Sequence, residues 1–180
     1  MLDGEENIIK GAMRGDAHAF GLLYDHYQPA IYRFVVVKVG RREDAEDITH
    51  QVFMNAWQGM RRYRHRGHPF SSWLYRIARN KVIDHYRARK ESVSLETVEI
   101  DQFGIVLSSS QSDLALKLDF EKAMGAIRKM KQEYQDVVIL RFVEELSLKE
   151  TARAMGKTEG AVKLMQHRAI GELKKMLGEK

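Results

Sequence analysis

The sequence contains no cysteine, which excludes disulfides, thiolate nucleophiles, thiol-based redox sensing and Cys-ligated zinc or iron–sulfur sites across its 180 residues. It has only two prolines and thirteen glycines, so long stretches run without a breaker, which favours helices over a turn-rich β fold. No apolar run approaches the ~20 residues that a membrane span requires. The start is acidic (Asp3, Glu5, Glu6) and unlike a signal peptide, so the expected location is the cytoplasm. What remains is ordinary for a folded, charge-rich protein, with 44% hydrophobic and 31% charged residues. The length allows one domain or two small ones.

The formal net charge of +5 hides an uneven distribution. Residues 1–90 carry 16 basic side chains against 10 acidic, residues 91–118 carry one against five, and residues 119–180 carry 13 against 10. Within the first block, residues 61–90 hold ten basic side chains and a single acid, Asp84. A stripe of that density is an electrostatic footprint for phosphate, and a solvated surface face is the plain alternative.

Periodicity predicts a chain of helices. Asp16 caps a first helix with Phe20, Leu23, Tyr27, Ile31, Phe34 and Val35 at spacings of three and four; Pro29 is expected to kink or restart it, and Gly40 to end it. A second helix is predicted over about 43–59, with Glu43, Asp44, Glu46 and Asp47 in its first turn, where the helix dipole favours acids. Residues 60–69 read as a loop and about 71–88 as a third helix. Residues 91–118 read as an acidic linker, flexible at least in part. Beyond it, helices are predicted from near Asp113 to Met130 and over 132–143. Ser147 and Glu150 form a capping box that opens a short helix ending at Met155–Gly156, and Thr158 caps a last helix over about 159–177. A short helix, a glycine turn and a longer helix make a helix-turn-helix outline. The fold class is therefore all-α, with helical domains over 1–90 and 119–180.

Three stretches occur in a fixed order: Asp44-Ala-Glu-Asp-Ile-Thr-His-Gln-Val-Phe-Met-Asn-Ala-Trp57, Phe70-Ser-Ser-Trp-Leu-Tyr-Arg-Ile-Ala-Arg-Asn-Lys-Val-Ile-Asp-His-Tyr-Arg87, and Leu146-Ser-Leu-Lys-Glu-Thr-Ala-Arg-Ala-Met-Gly156 continuing through Gly160 to Ala169. Together they resemble the bacterial RNA polymerase sigma factors of the extracytoplasmic-function branch, over about 16–90 and 119–177. The resemblance makes residues 1–90 sigma region 2 and residues 119–180 sigma region 4. It implies binding to core RNA polymerase, recognition of −10 and −35 promoter elements, and an anti-sigma factor as a further partner. The contacts it implies on the polymerase are the β′ clamp helices and the β flap.

The resemblance assigns polymerase contacts to Asp44, Asp47, Ile48, Gln51 and Asn55. An amphipathic helix with dipole-stabilising acids accounts for Glu43 and Asp44, but less well for Asp47 and Gln51 beside bulky Phe53 and Trp57. Residues 61–90 mix arginines with aromatic planes, the mixture that single-stranded DNA binding needs. By resemblance the loop 63–70 captures a flipped base of the −10 element, through Tyr63, His68 and Phe70. Arg76, Asn80, Lys81 and Arg87 follow on the next helix. Asn80 stands out because Asn has poor propensity in mid-helix. Trp73 and Ile77 read as core packing.

On the last helix, Lys163, His167 and Arg168 lie opposite the Val162–Met165–Ala169 face, and the resemblance assigns them and Thr158 to the −35 element. Two departures from the family pattern involve three residues: Ala161 replaces a threonine, and Leu164-Met165 replace a serine and an arginine. Recognition of −35 is therefore expected to be weaker or to differ in sequence. His65, His68 and His85 have no acid or Cys partner at ligand spacing and sit among cations, which opposes a metal site. No cofactor and no covalent chemistry are expected, since no nucleophile–base pair or convergent carboxylate set is present. A stand-alone helix-turn-helix regulator is the alternative, and it leaves the 44–57 and 61–90 stretches without a task.

Overall fold

The computed structural model describes residues 4–64, 69–92 and 114–178. In chain order these form α1 (Glu5–Met13), α2 (Ala17–Val39), α3 (Arg42–Gly59), a 3₁₀ turn (Met60–Arg62), α4 (Phe70–Ser92), α5 (Leu114–Lys129), α6 (Gln132–Val138), a π turn (Ile139–Val143), α7 (Leu148–Met155) and α8 (Glu159–Leu177). No strand occurs among the described residues. Since α4 runs to Ser92 and α5 begins at Leu114, helix takes in both ends of the expected 91–118 linker; the rest of it lies outside the described residues.

The caps act where the sequence places them. One carboxylate oxygen of Asp16 accepts hydrogen bonds from the amides of His18 and Ala19 at 2.9 and 3.2 Å. Gly40 closes α2 in the left-handed conformation at φ 86°, its amide donating to the Val36 carbonyl. Ser147 and Glu150 complete the reciprocal capping box of α7, Gly156 ends it at φ 65°, and Thr158 Oγ1 accepts from the Ala161 amide at 3.2 Å. Pro29 does not restart a helix: α2 continues through it as one 23-residue element. The short α1 was not anticipated; it buries Ile9 and Ala12 against α2, and the Tyr27 hydroxyl donates to Glu5.

Helices α2, α3 and α4 pack on one another around Leu23, Ile31, Phe34 and Val35, with Val52 and Ala56 from α3 and Leu74, Ala78 and Val82 from α4, all buried. The second helical unit, α5–α8, buries Met124, Ile127, Val137, Ile139, Leu140, Ala152, Met155 and Val162. The two units touch, chiefly along α4 and α7.

Charge stitches that contact. Asp136, fully buried on α6, accepts from Lys38 of α2, itself only 3% exposed, and from Arg79 of α4 at 2.7 Å. Glu144 accepts two bonds from the Arg33 guanidinium, at 2.8 and 2.7 Å, and one from the Tyr75 hydroxyl at 2.8 Å. Burial drives the Lys38 ammonium down from its ordinary pKa and Asp136 opposes that shift, while Arg79 adds to it. Burial beside Glu144 pushes the Tyr75 hydroxyl up, so it stays a neutral donor.

Candidate nucleic-acid interface

The α3 surface follows from helical spacing. Asp47, Gln51 and Asn55 recur every four residues and all are exposed, with Met54 beside them at 45% exposure. Ile48 points the other way into the core at 4% exposure, so its part is to hold the helix rather than to touch a partner. Asp44 is half-buried and faces α4, 3.7 Å from His85 Nε2. Next to the acidic face lies an apolar groove of about 250 Å³ between α2 and α3, lined by Phe20, Tyr24, His50, Phe53, Met54 and Trp57. Its walls are held by ring pairs, Phe20 on Trp57 at 5.0 Å and Tyr24 edge-on to Phe53 at 4.7 Å. Helical periodicity marks Phe53 and Trp57 as apolar positions, but not that they line a groove with Phe20 and Tyr24 of α2.

The aromatics of the basic stretch divide into two classes. Tyr63 and Phe70 are buried, at 7% and 1% exposure, and interlock with Trp73 at centroid distances of 4.9 and 5.4 Å. In this structure they do not face solvent as base-stacking planes. They pack on each other and on Trp73 at the start of α4, and burial raises the Tyr63 pKa accordingly. His68 lies outside the described residues. Gly59 lies close against the same cluster: a Cβ there would come within 3.2 Å of the Trp73 ring, which would have to shift by a few tenths of an ångström.

Arg76 and Asn80, one turn apart, are exposed on α4, as is Arg87; Lys81 is half-buried. The Asn80 side chain has no hydrogen bond to another described residue, so packing does not explain its presence in mid-helix. Arg62, Arg64 and Arg76 converge with Tyr63, Pro69 and Trp73 on a cavity of about 210 Å³, whose far wall is Arg153 of α7. These guanidiniums form no ion pair among the described residues, which leaves a concentrated positive field beside the exposed face of α4. Arg62, Arg64 and Arg153 were not singled out from sequence.

On α8, Val162 and Ala169 are fully buried, and Lys163, His167 and Arg168 project from the opposite side. Thr158 is exposed with its hydroxyl engaged as the cap. Met165, one of the three atypical residues, is half-buried and packs on the core, whereas Leu164 is 50% exposed among the cations. Arg141 of the π turn donates to Gln166 at 3.0 Å and to the Leu146 carbonyl, fixing α8 to α6 and to the start of α7.

Comparison with known proteins finds one family region in each helical unit. The family descriptions Sigma-70 region 2 and Sigma-70, region 4 match residues 23–92 and 120–173. The chain is 36% identical to the ECF RNA polymerase sigma factor BldN of Streptomyces coelicolor, over 94% of this chain and 64% of that protein. It thus spans somewhat under two thirds of the length of that relative. It is 32% identical to the ECF RNA polymerase sigma factor SigD of Mycobacterium tuberculosis, over 96% of this chain and 84% of the relative. Among solved structures, CnrH in complex with the cytosolic domain of CnrY shares the fold, with a TM-score of 0.74, 22% identity and 97% of both chains covered. Matches to both family descriptions in chain order, and a relative 32% identical over 84% of its length, leave one conclusion: the chain belongs to the extracytoplasmic-function sigma factors of bacterial RNA polymerase.

Proposed function

We propose that this chain binds core RNA polymerase and directs transcription initiation at promoters carrying −10 and −35 elements. Residues 1–90 act as the region 2 domain and residues 119–180 as the region 4 domain, with 91–118 between them. Asp47, Gln51 and Asn55, with the neighbouring apolar groove, offer a basic, partly apolar partner helix both charge and a place to bury side chains; the β′ clamp helices are the partner of that kind. Arg76, Asn80 and Arg87 face the single-stranded −10 element, with Lys81 beside them, while the buried rings of Tyr63 and Phe70 anchor the start of this helix. Lys163, His167 and Arg168 face the duplex −35 element, with Thr158 at the helix start. The chain supplies no catalytic group and acts in the cytoplasm, where the polymerase is. The β flap, and an anti-sigma factor that holds the protein inactive, complete the partners.

The observation that carries this reading is Asn80. It is an exposed, unbonded, helix-disfavouring side chain in the middle of a cationic helix, and neither folding nor a duplex-only regulator gives it a role. Geometry adds a requirement. Elements centred about 25 base pairs apart are separated by about 85 Å at ~3.4 Å per pair. The two units of the free chain are in contact. Promoter engagement therefore requires them to part, breaking the bonds of Asp136 and Glu144 to α2 and α4. Binding to forked promoter DNA, measured with and without core polymerase, tests the proposal. The free chain should bind weakly and with steep salt dependence, and specificity should appear only with polymerase. Tight, sequence-specific duplex binding by the free chain would instead establish the stand-alone regulator.

A further inference from the structure

Leu164 does nothing for the fold that a polar residue would not do. It sits in the second turn of α8, half exposed, on the side away from buried Val162 and Ala169. Its neighbours on that side are Lys163, His167 and Arg168, so it is an apolar side chain set within a cationic stripe rather than part of a continuous apolar patch. The same stripe carries Gly160 before it and Gly171 two turns after it. Both glycines weaken a helix relative to alanine, and a Cβ at either would meet nothing within 4 Å. Packing within the chain therefore explains none of the three. A helix face bare at both ends, cationic along its length and apolar at one point is shaped to approach a polyanion closely and to read one apolar feature on it. The major groove of DNA offers a single apolar feature, the 5-methyl group of thymine.

We infer that Leu164 is a specificity-determining residue that recognises the 5-methyl group of a thymine in the −35 element by van der Waals contact. The inference rests on the proposed docking of α8 in the major groove. It turns the atypical residue at this position from a lost polar contact into a different readout, one that favours thymine over cytosine by the methyl group and not by a hydrogen bond.

Thymine-to-deoxyuridine exchange isolates that methyl group, because base pairing is unchanged and the −35 duplex is not melted. Promoters that respond to this protein with core polymerase are rebuilt with deoxyuridine at each −35 thymine in turn, and transcription is compared at limiting protein. Loss of one methyl contact should lower the yield about fourfold at one or two positions, the effect of removing one buried methylene-sized group. Leu164→Ser should lower transcription on the thymine template and abolish the difference between thymine and deoxyuridine, and Leu164→Met should retain the difference. A wild-type protein indifferent to deoxyuridine at every −35 position would overturn the inference. So would a Leu164→Ser protein that loses activity equally on both templates, which would place Leu164 on a protein partner. Neither result touches the sigma factor reading, which is abandoned only if no promoter responds to the protein at all.

Discussion

Replacing Asp136 by asparagine should loosen the two helical units from each other without melting either. Asp136 is fully buried and bonds two cations from the other unit, Lys38 and Arg79. With the carboxylate neutralised, a fully buried ammonium loses its bonded partner and faces a mostly buried guanidinium that keeps only the weaker pull of Glu133. Removing one partner of such a buried pair costs about 3–5 kcal/mol. At 1.36 kcal/mol per decade that moves the docked-to-undocked ratio by roughly 150- to 5,000-fold. The absence of cysteine makes the assay clean: Lys10→Cys on α1 and Lys174→Cys on α8, both exposed, accept a fluorophore pair and nothing else in the chain reacts. Energy transfer between them should fall sharply in Asp136→Asn while the helical circular dichroism is kept. The apolar triple Lys38→Met, Arg79→Met and Asp136→Leu should restore transfer, because it removes all three charges of the network together. Unchanged transfer in Asp136→Asn would refute the view that this network holds the units together. Since promoter engagement requires the units to part, Asp136→Asn should also reach the polymerase–promoter complex faster than wild type.

Three other outcomes follow from the same structure. Asp47→Arg, at an exposed position of α3, should weaken capture by a β′ clamp-helix fragment at least tenfold with no change in thermal midpoint. Asn80→Ala should lower open-complex formation by about 10- to 100-fold, the scale of one lost base contact at 1–3 kcal/mol, while leaving polymerase binding and stability intact. Glu133 pairs with Lys157 at 2.8 Å, and the resulting hydrogen bond holds its carboxyl below the usual Glu pKa. A depressed carboxyl stabilises the fold above its ordinary pKa and loses that contribution as pH falls through the depressed value. The pair is half exposed, so wild type should exceed Glu133→Gln by less than about 1 kcal/mol in denaturant unfolding at neutral pH, and the two should converge in acid.

Helix ends were the most legible part of the fold because each is set by one or two residues acting within four positions: Asp16, Gly40, Ser147 with Glu150, Gly156 and Thr158. The exposed faces of α3 and α8 were legible for the same local reason, since helical spacing alone separates Asp47 and Gln51 from Ile48, and Lys163 from Val162. Aromatics were harder. Tyr63 and Phe70 lie in a basic stretch whose composition suits single-stranded DNA, but composition does not say which rings stack on bases and which stack on one another; here they pack together and against Trp73. The short α1 escaped because its stability comes from packing on α2 rather than from its own caps; no side chain caps its start.

The contact between the units left a trace that local reasoning could not complete. Lys38 interrupts the run Val35-Val36-Val37 and Val39, and Asp136 stands directly before Val137-Val138. A charge inside an apolar run announces a buried partner. The two lie 98 positions apart, and nothing local to either names the other.

The central claim is that this chain confers promoter choice on core RNA polymerase. Transcription by core polymerase from a genomic library, with and without the protein, followed by mapping of start sites, tests it most directly. The account predicts start sites that depend on the protein and share two upstream motifs, and that Asn80→Ala loses them while still binding polymerase. Start sites indifferent to the protein, with the chain folded and bound to polymerase, would contradict it.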